Sequence, residues 1–135
     1  MKTTIFEAIE QDDNFKKILR NMVETSIRES FDGIMITEAD AGYPIRHVNP
    51  AFCAMTGYTP EEILGQSPAI LQGPLTDQTV LDRLKSNLGR GDTFHGKAVN
   101  YRKDGSTFMM EWKIAPIRNS EREIVYFMAI QHEMG

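Results

Sequence analysis

The sequence predicts an α+β domain built on an antiparallel sheet. Three observations carry that prediction. An amphipathic helical stretch opens the chain, two short strand-like runs follow it, and three longer ones close it after a group of short helices. Hairpins gathered at both ends, with helices between them, place those helices on part of one sheet.

From Asn14 the apolar residues Phe15, Ile18, Leu19, Met22, Val23 and Ile27 recur at helical spacing and share one face. Asp32-Gly33 is expected to stop this helix, because glycine commonly sits just past a helix end. Its apolar face can pack on the chain's own sheet or against a twin. Residues 1–30 are therefore read as an N-terminal cap and dimer contact, ahead of a sensory domain over residues 31–135. Ile34-Met35-Ile36-Thr37 reads as a strand, turning at Glu38 to Gly42 into a second strand over Pro44 to Val48. Asn49-Pro50 starts a short helix, as N-cap and first helical residue, and Gly57 stops it. Thr59-Pro60-Glu61-Glu62 is a second helix start, with carboxylates at the positive end of the dipole, and Gly65 closes it. A longer helix is capped near Thr76 or Asp77, shows Val80, Leu81, Leu84 and Leu88 on one face, and ends at Gly89 and Gly91. Asp104-Gly105 and Asn119 to Arg122 mark the turns between the last three strands.

Composition narrows the function. At 135 residues the chain suits one domain, which buries roughly two-thirds of its unfolded surface. A net charge of −4 with scattered Lys and Arg argues against a nucleic-acid partner, which demands clustered cations. Cys53 is the only cysteine, so no internal disulfide forms and a reducing compartment is expected. No apolar run approaches the roughly 20 residues that span a bilayer. Met1-Lys2-Thr3-Thr4 leads into acidic sequence, unlike a signal peptide. The expected setting is cytoplasmic, away from membranes.

Alternation along the late strands separates inside from outside. Phe108, Met110, Trp112 and Ile114 share one face and point inward, as do Phe94, Gly96, Ala98 and Asn100 on the preceding strand. On the last strand Val125, Phe127, Ala129 and Gln131 form one row, and Ile124, Tyr126, Met128 and Ile130 the other. Asn100 and Gln131 thus end two inward rows, and each needs a hydrogen-bonding mate. Small residues beside them, Gly96, Ala98 and Ala129, leave space for a polar-edged ligand. The last strand is apolar on both faces, so its outer row needs a cover: the N-terminal helix or a second subunit.

Asn49-Pro50-Ala51-Phe52, Met55-Thr56-Gly57-Tyr58, Glu61-Glu62-Ile63-Leu64-Gly65 and Asn100-Tyr101-Arg102-Lys103-Asp104-Gly105 resemble, in order and spacing, the hallmark segments of PAS domains. The resemblance covers roughly Phe31 to Gln131. It implies a five-stranded antiparallel sheet whose concave face, with the short helices, encloses a ligand pocket. The nearest wording is that of the flavin-binding, light-sensing LOV branch, whose motif runs Gly-x-Asn-Cys-Arg-Phe-Leu-Gln-Gly. Here the stretch is Gly65-Gln66-Ser67-Pro68-Ala69-Ile70-Leu71-Gln72-Gly73. Pro68 replaces the photoreactive cysteine, and Ala69 the arginine that holds the flavin phosphate. Lys85 stands at a second phosphate-contacting arginine. Cys53 lies on another helix and reads as a packing residue.

The resemblance carries ring-contacting amides onto Asn100 and Gln131, and a further polar contact onto Gln72. Met110 stands where the branch has another asparagine, Ala129 where it has glycine, and Trp112 is a bulky inward neighbour. The implied cofactor-binding set is Thr37, Ser67, Leu71, Gln72, Lys85, Asn100, Met110, Trp112, Phe127 and Gln131. Pro68, Glu111-Trp112 and Phe94-His95-Gly96 resemble instead bacterial PAS sensors upstream of histidine kinases and cyclic-di-GMP enzymes, some of which hold FAD for redox sensing. Cysteine photochemistry is not expected, and non-covalent flavin binding (FMN or FAD) is the expectation. A change of ring protonation would reorient Gln131 and shift the last strand.

The alternative is a cofactor-free PAS module for dimerisation or signal transmission, with Met110 and Trp112 filling the pocket. Either way the expectation is a homodimer through the N-terminal helix and outer sheet face. A covalently linked kinase or cyclic-di-GMP enzyme is expected beyond Gly135, where the chain stops just past the last strand. No enzyme is expected, because His47, His95 and His132 lack metal spacing and no nucleophile–base pair is evident. Haem is not expected either, since the Thr76–Leu88 helix carries no histidine.

Overall fold

The computed structural model describes Thr4 and residues 14–135; positions 1–3 and 5–13 of the segment assigned above to residues 1–30 lie outside the described residues. Helix α1 (Phe15–Arg28) is followed by β1 (Gly33–Glu38), β2 (Ile45–Val48), α2 (Pro50–Thr56), α3 (Pro60–Ile63), a 3-10 turn at Pro68–Leu71 and α4 (Gln78–Gly89). Strands β3 (Phe94–Tyr101), β4 (Thr107–Arg118) and β5 (Ile124–Glu133) complete the chain. The strands form one five-stranded sheet in the order β2-β1-β5-β4-β3, antiparallel throughout. The last strand thus lies at the centre, because β1 pairs along it from Gly33↔Gln131 to Glu38↔Tyr126. Among the described residues no helix is long and apolar enough to cross a membrane.

The short helices start as their sequences dictate. Asn49 Oδ1 accepts from Phe52 N–H, with Pro50 in the first turn. Thr59 and Glu62 form a reciprocal capping box. Lys103, on the β3–β4 turn, pairs with the same glutamate. Donors from Lys103 and Thr59 hold the Glu62 carboxyl down to about 2. Of the two caps offered for α4, Asp77 is the one used, accepting from Thr79 N–H.

Two expectations about the N-terminal helix need correction. It ends at Arg28, where Glu29 N–H donates to Thr25 O, and not at Asp32-Gly33. Gly33 is instead the buried first residue of β1, where a Cβ would stand 3.1 Å from Phe52 Cα. Close approach of α2, not helix termination, favours glycine there. Nor does α1 cover the outer row of β5. None of its residues is buried, and Ile130 remains 45% exposed.

The inward rows fall as alternation predicts. Phe94, Ala98, Asn100, Phe108, Met110, Trp112, Ile114, Phe127, Ala129 and Gln131 are all buried. The junction above them rests on Asn49, 1% exposed. Its Oδ1 accepts from Ile34 N–H (2.8 Å) and Phe52 N–H (3.0 Å), and its Nδ2 donates to Ile27 O (2.8 Å) and Asp32 O (3.0 Å). One side chain thus joins the end of α1, the start of β1 and the start of α2. Asn49→Ala is expected to lower unfolding stability by about 3 kcal/mol, from a lost cap and orphaned backbone groups. Asn49→Asp, which keeps the acceptor, should lose about half as much. Urea denaturation midpoints of the two variants check both values.

Candidate ligand-binding site

Two elements wall a cavity against the concave face of the sheet. The first is the segment around the 3-10 turn, which is tied down at both ends. On the β2 side, Ile45 N–H donates to Gln66 O and Gly65 N–H to Ile45 O. On the β3 side, Leu75 N–H donates to Tyr101 Oη and Thr76 Oγ1 to Val99 O. Between these ties the chain crosses the tyrosine ring at Gly73, where a Cβ would lie 2.3 Å from Tyr101 Cε1. Only glycine permits that crossing. The second wall is α4, packed on β3 and presenting Leu81, Leu84, Lys85 and Leu88.

The enclosed volume is about 370 Å³, within the range of small-molecule sites. Every residue of the implied cofactor-binding set lines it: Thr37, Ser67, Leu71, Gln72, Lys85, Asn100, Met110, Trp112, Phe127 and Gln131. Met35, Tyr43, Leu84, Leu88 and Ala129 line it as well. Sequence reasoning did not reach Tyr43, which sits in the β1–β2 turn with φ 50° and meets Phe127 edge-on at 5.7 Å. Nothing in the turn's sequence distinguishes an inward tyrosine from an exposed one. In the sequence Leu84 and Leu88 show only as part of the apolar face of their helix.

The floor is buried, with Thr37, Asn100 and Gln131 set in an apolar surround. Trp112 is tilted against Phe94 at 5.2 Å, in space that Gly96 leaves open, since a Cβ on Gly96 would strike the Phe94 ring. Gln131 lies between Gly33 of β1 and Trp112 of β4. Its carboxamide is 1% exposed, and its Nε2 makes no hydrogen bond. Asn100, 4% exposed, has only a long bond from Nδ2 to its neighbour Ala98 O (3.3 Å). Met110 lies diagonally between the two amides, opposite Ala98 on one side and Glu133 on the other.

The titratable clusters lie elsewhere. His95 is on the outer sheet face as expected, but it is paired: Nε2 meets Glu111 Oε2 at 2.7 Å, and His132 Nε2 meets the other oxygen at 3.1 Å. The His95 hydrogen bond, helped by nearby Lys97 and His132, holds the Glu111 carboxyl below the usual carboxylate range. Cys53, on α2, is outside the cavity lining, and burial followed by the nearby Glu61 charge pushes its thiol up. Among the described residues no group of His, Cys, Asp or Glu could hold a metal ion. The site is therefore a cavity with one unpaired buried amide nitrogen, on Gln131, and a second buried amide, Asn100, held by a single long bond.

Known proteins agree with this architecture. The PAS domain family model matches residues 32–134. Phototropin-2 of Oryza sativa subsp. japonica is 33% identical over 111 residues, covering 82% of this chain and 12% of that protein. A blue-light photoreceptor of Listeria monocytogenes is 37% identical over 103 residues, covering 76% of this chain and 40% of its own length. The chain thus spans less than half of either relative. Among solved structures, the LOV domain from the Erythrobacter litoralis EL346 blue-light activated histidine kinase superposes with a TM-score of 0.73 at 30% identity, covering 77% of this chain and 96% of that one. The chain belongs to the PAS domain family, close to its light-oxygen-voltage (LOV) branch.

Proposed function

We propose that this chain is the sensory domain of a bacterial signalling protein. It binds a flavin non-covalently and relays redox or light state through β5 to a covalently linked effector, without catalysis of its own. The observation that carries the reading is the Gln131 carboxamide, buried beneath the cavity with an unpaired Nε2. A buried donor without an acceptor costs about 1–3 kcal/mol, and a heteroaromatic ligand edged with carbonyl and imine acceptors would remove that cost. The apolar floor of Leu71, Met110, Trp112 and Phe127 suits a flat ring, and Asn100 offers a second amide across it. The names of the Listeria photoreceptor and the Erythrobacter LOV domain support the same reading.

A flavin would supply ring nitrogens whose protonation follows its redox state. Gln131 is able to answer such a change, because its amide can present either an acceptor or a donor. Pro68 carries no thiol, so the response would be read through hydrogen bonding alone. Met110 and Trp112 do not fill the cavity, and the volume that remains favours this reading over a cofactor-free module.

The outer face of the sheet exposes Met109, Ile117, Tyr126 and Ile130, and α1 exposes Met22 and Val23. In the proposed homodimer these two surfaces cover one another across the pair.

Visible absorbance of the purified protein, before and after incubation with FMN and FAD, tests the site. Bound-flavin bands are expected, with Gln131→Leu weakening binding about tenfold. No flavin bands in either sample would sink the reading. For the pair, light scattering should report a dimer that Ile130→Glu combined with Val23→Glu converts to monomer. A monomeric wild-type protein would remove this part of the proposal.

A further inference from the structure

We propose that the cavity recognises the ring of its flavin and not a phosphorylated tail, so that riboflavin binds as tightly as FMN; this rests on the flavin reading above. The lining has two chemical zones. Its buried floor carries the polar groups Thr37, Asn100 and Gln131 within an apolar surround. Its exposed rim is Ser67, Ala69, Gln78, Asp82 and Lys85. A ring held by the floor directs its tail to this rim.

The rim has nothing that holds an anion well. Among the described lining residues Lys85 is the only cation. Asp82, three residues earlier on the same helix and so on the same face, sets a carboxylate beside it. Gln78 Nε2 donates to that carboxylate at 2.9 Å, which keeps it at the rim. Ser67 Oγ caps the 3-10 turn by accepting from Ala69 N–H at 3.2 Å, so this backbone donor is already engaged. The Ala69 side chain is a methyl group.

Nearby arginines are committed elsewhere. Arg83 Nη1 donates to His95 O at 2.7 Å while its guanidinium lies 4.7 Å over the Phe94 ring. Arg46 pairs with Glu38 at 2.9 Å. Phosphate recognition rests on charge-assisted, preferably bidentate, donors. One exposed lysine opposed by a carboxylate adds only about fivefold at most.

Titration of the flavin-free protein with riboflavin, FMN and FAD, followed by flavin fluorescence, tests this at about 50 mM and about 500 mM salt, which span strong and weak screening. The riboflavin and FMN dissociation constants should agree within about fivefold, with FMN affinity only weakly dependent on salt. In Ala69→Arg the ratio should move about tenfold toward FMN, with a new salt dependence. Wild-type protein binding FMN tenfold or more tighter than riboflavin would overturn the proposal while leaving the flavin reading intact. An Ala69→Arg ratio equal to wild type would overturn the assignment of the tail to this rim. If none of the three flavins binds, the flavin reading itself falls, and this inference with it.

Discussion

Everything that shapes the cavity hangs from the Asn49 carboxamide. It satisfies backbone groups of α1, β1 and α2 together, in a place where water does not reach. These bonds set the angle at which the chain enters β1, and hence the register in which Gly33 meets Gln131. Because β1 pairs along nearly its whole length with β5, that register fixes which side chains of the central strand face inward. A slip of one residue would exchange Phe127, Ala129 and Gln131 for Tyr126, Met128 and Ile130. The cavity would then lose the Gln131 amide, and the outer face Ile130.

The concave side stays open for a different reason. Sheets of this size normally bury one face under packed helices, and here two short helices and a tethered loop replace such a layer. The loop cannot collapse inward, because hydrogen bonds at Ile45 and Tyr101 hold its two ends apart. Nor can α4 close the gap alone. Its Arg83 side chain is drawn toward β3 by the His95 carbonyl and the Phe94 ring, which keeps the helix over the sheet edge. Ala129 keeps the floor low beneath them, Phe94 takes the space over Gly96, and Met110 and Trp112 occupy part of the depth.

Much of this was legible in the sequence, and what was missed has a common cause. Alternation placed the inward rows of β3, β4 and β5 correctly because period-2 burial is a local property of each strand. The caps at Asn49 and Thr59 were readable because an N-cap bonds within its own first turn. The resemblance assembled a site set that the structure gathers around one cavity. Gly33 was misread as a helix stop because its constraint is an approach by Phe52, nineteen positions later in the chain. Tyr43 was missed likewise, since its partner Phe127 lies on a distant strand. That α1 stands off the sheet was equally unreadable. An amphipathic stripe shows that a face needs a partner, not which surface provides it.

The geometry also bears on how a state in the cavity reaches the outside. Gln131 sits on the central strand, hydrogen-bonded through its neighbours to both β1 and β4, so movement of its backbone is shared with each. On either side of it in sequence, Ile130 and His132 point to the opposite face. Ile130 belongs to the exposed apolar patch, and His132 shares Glu111 with His95. A rotation of the Gln131 amide therefore need not travel far: one peptide away it meets either an open apolar surface or a shared carboxylate. Pleating couples the two faces of a strand with no intervening layer. In the proposed flavin site, a change at this single buried amide would thus lie one residue from the outer face.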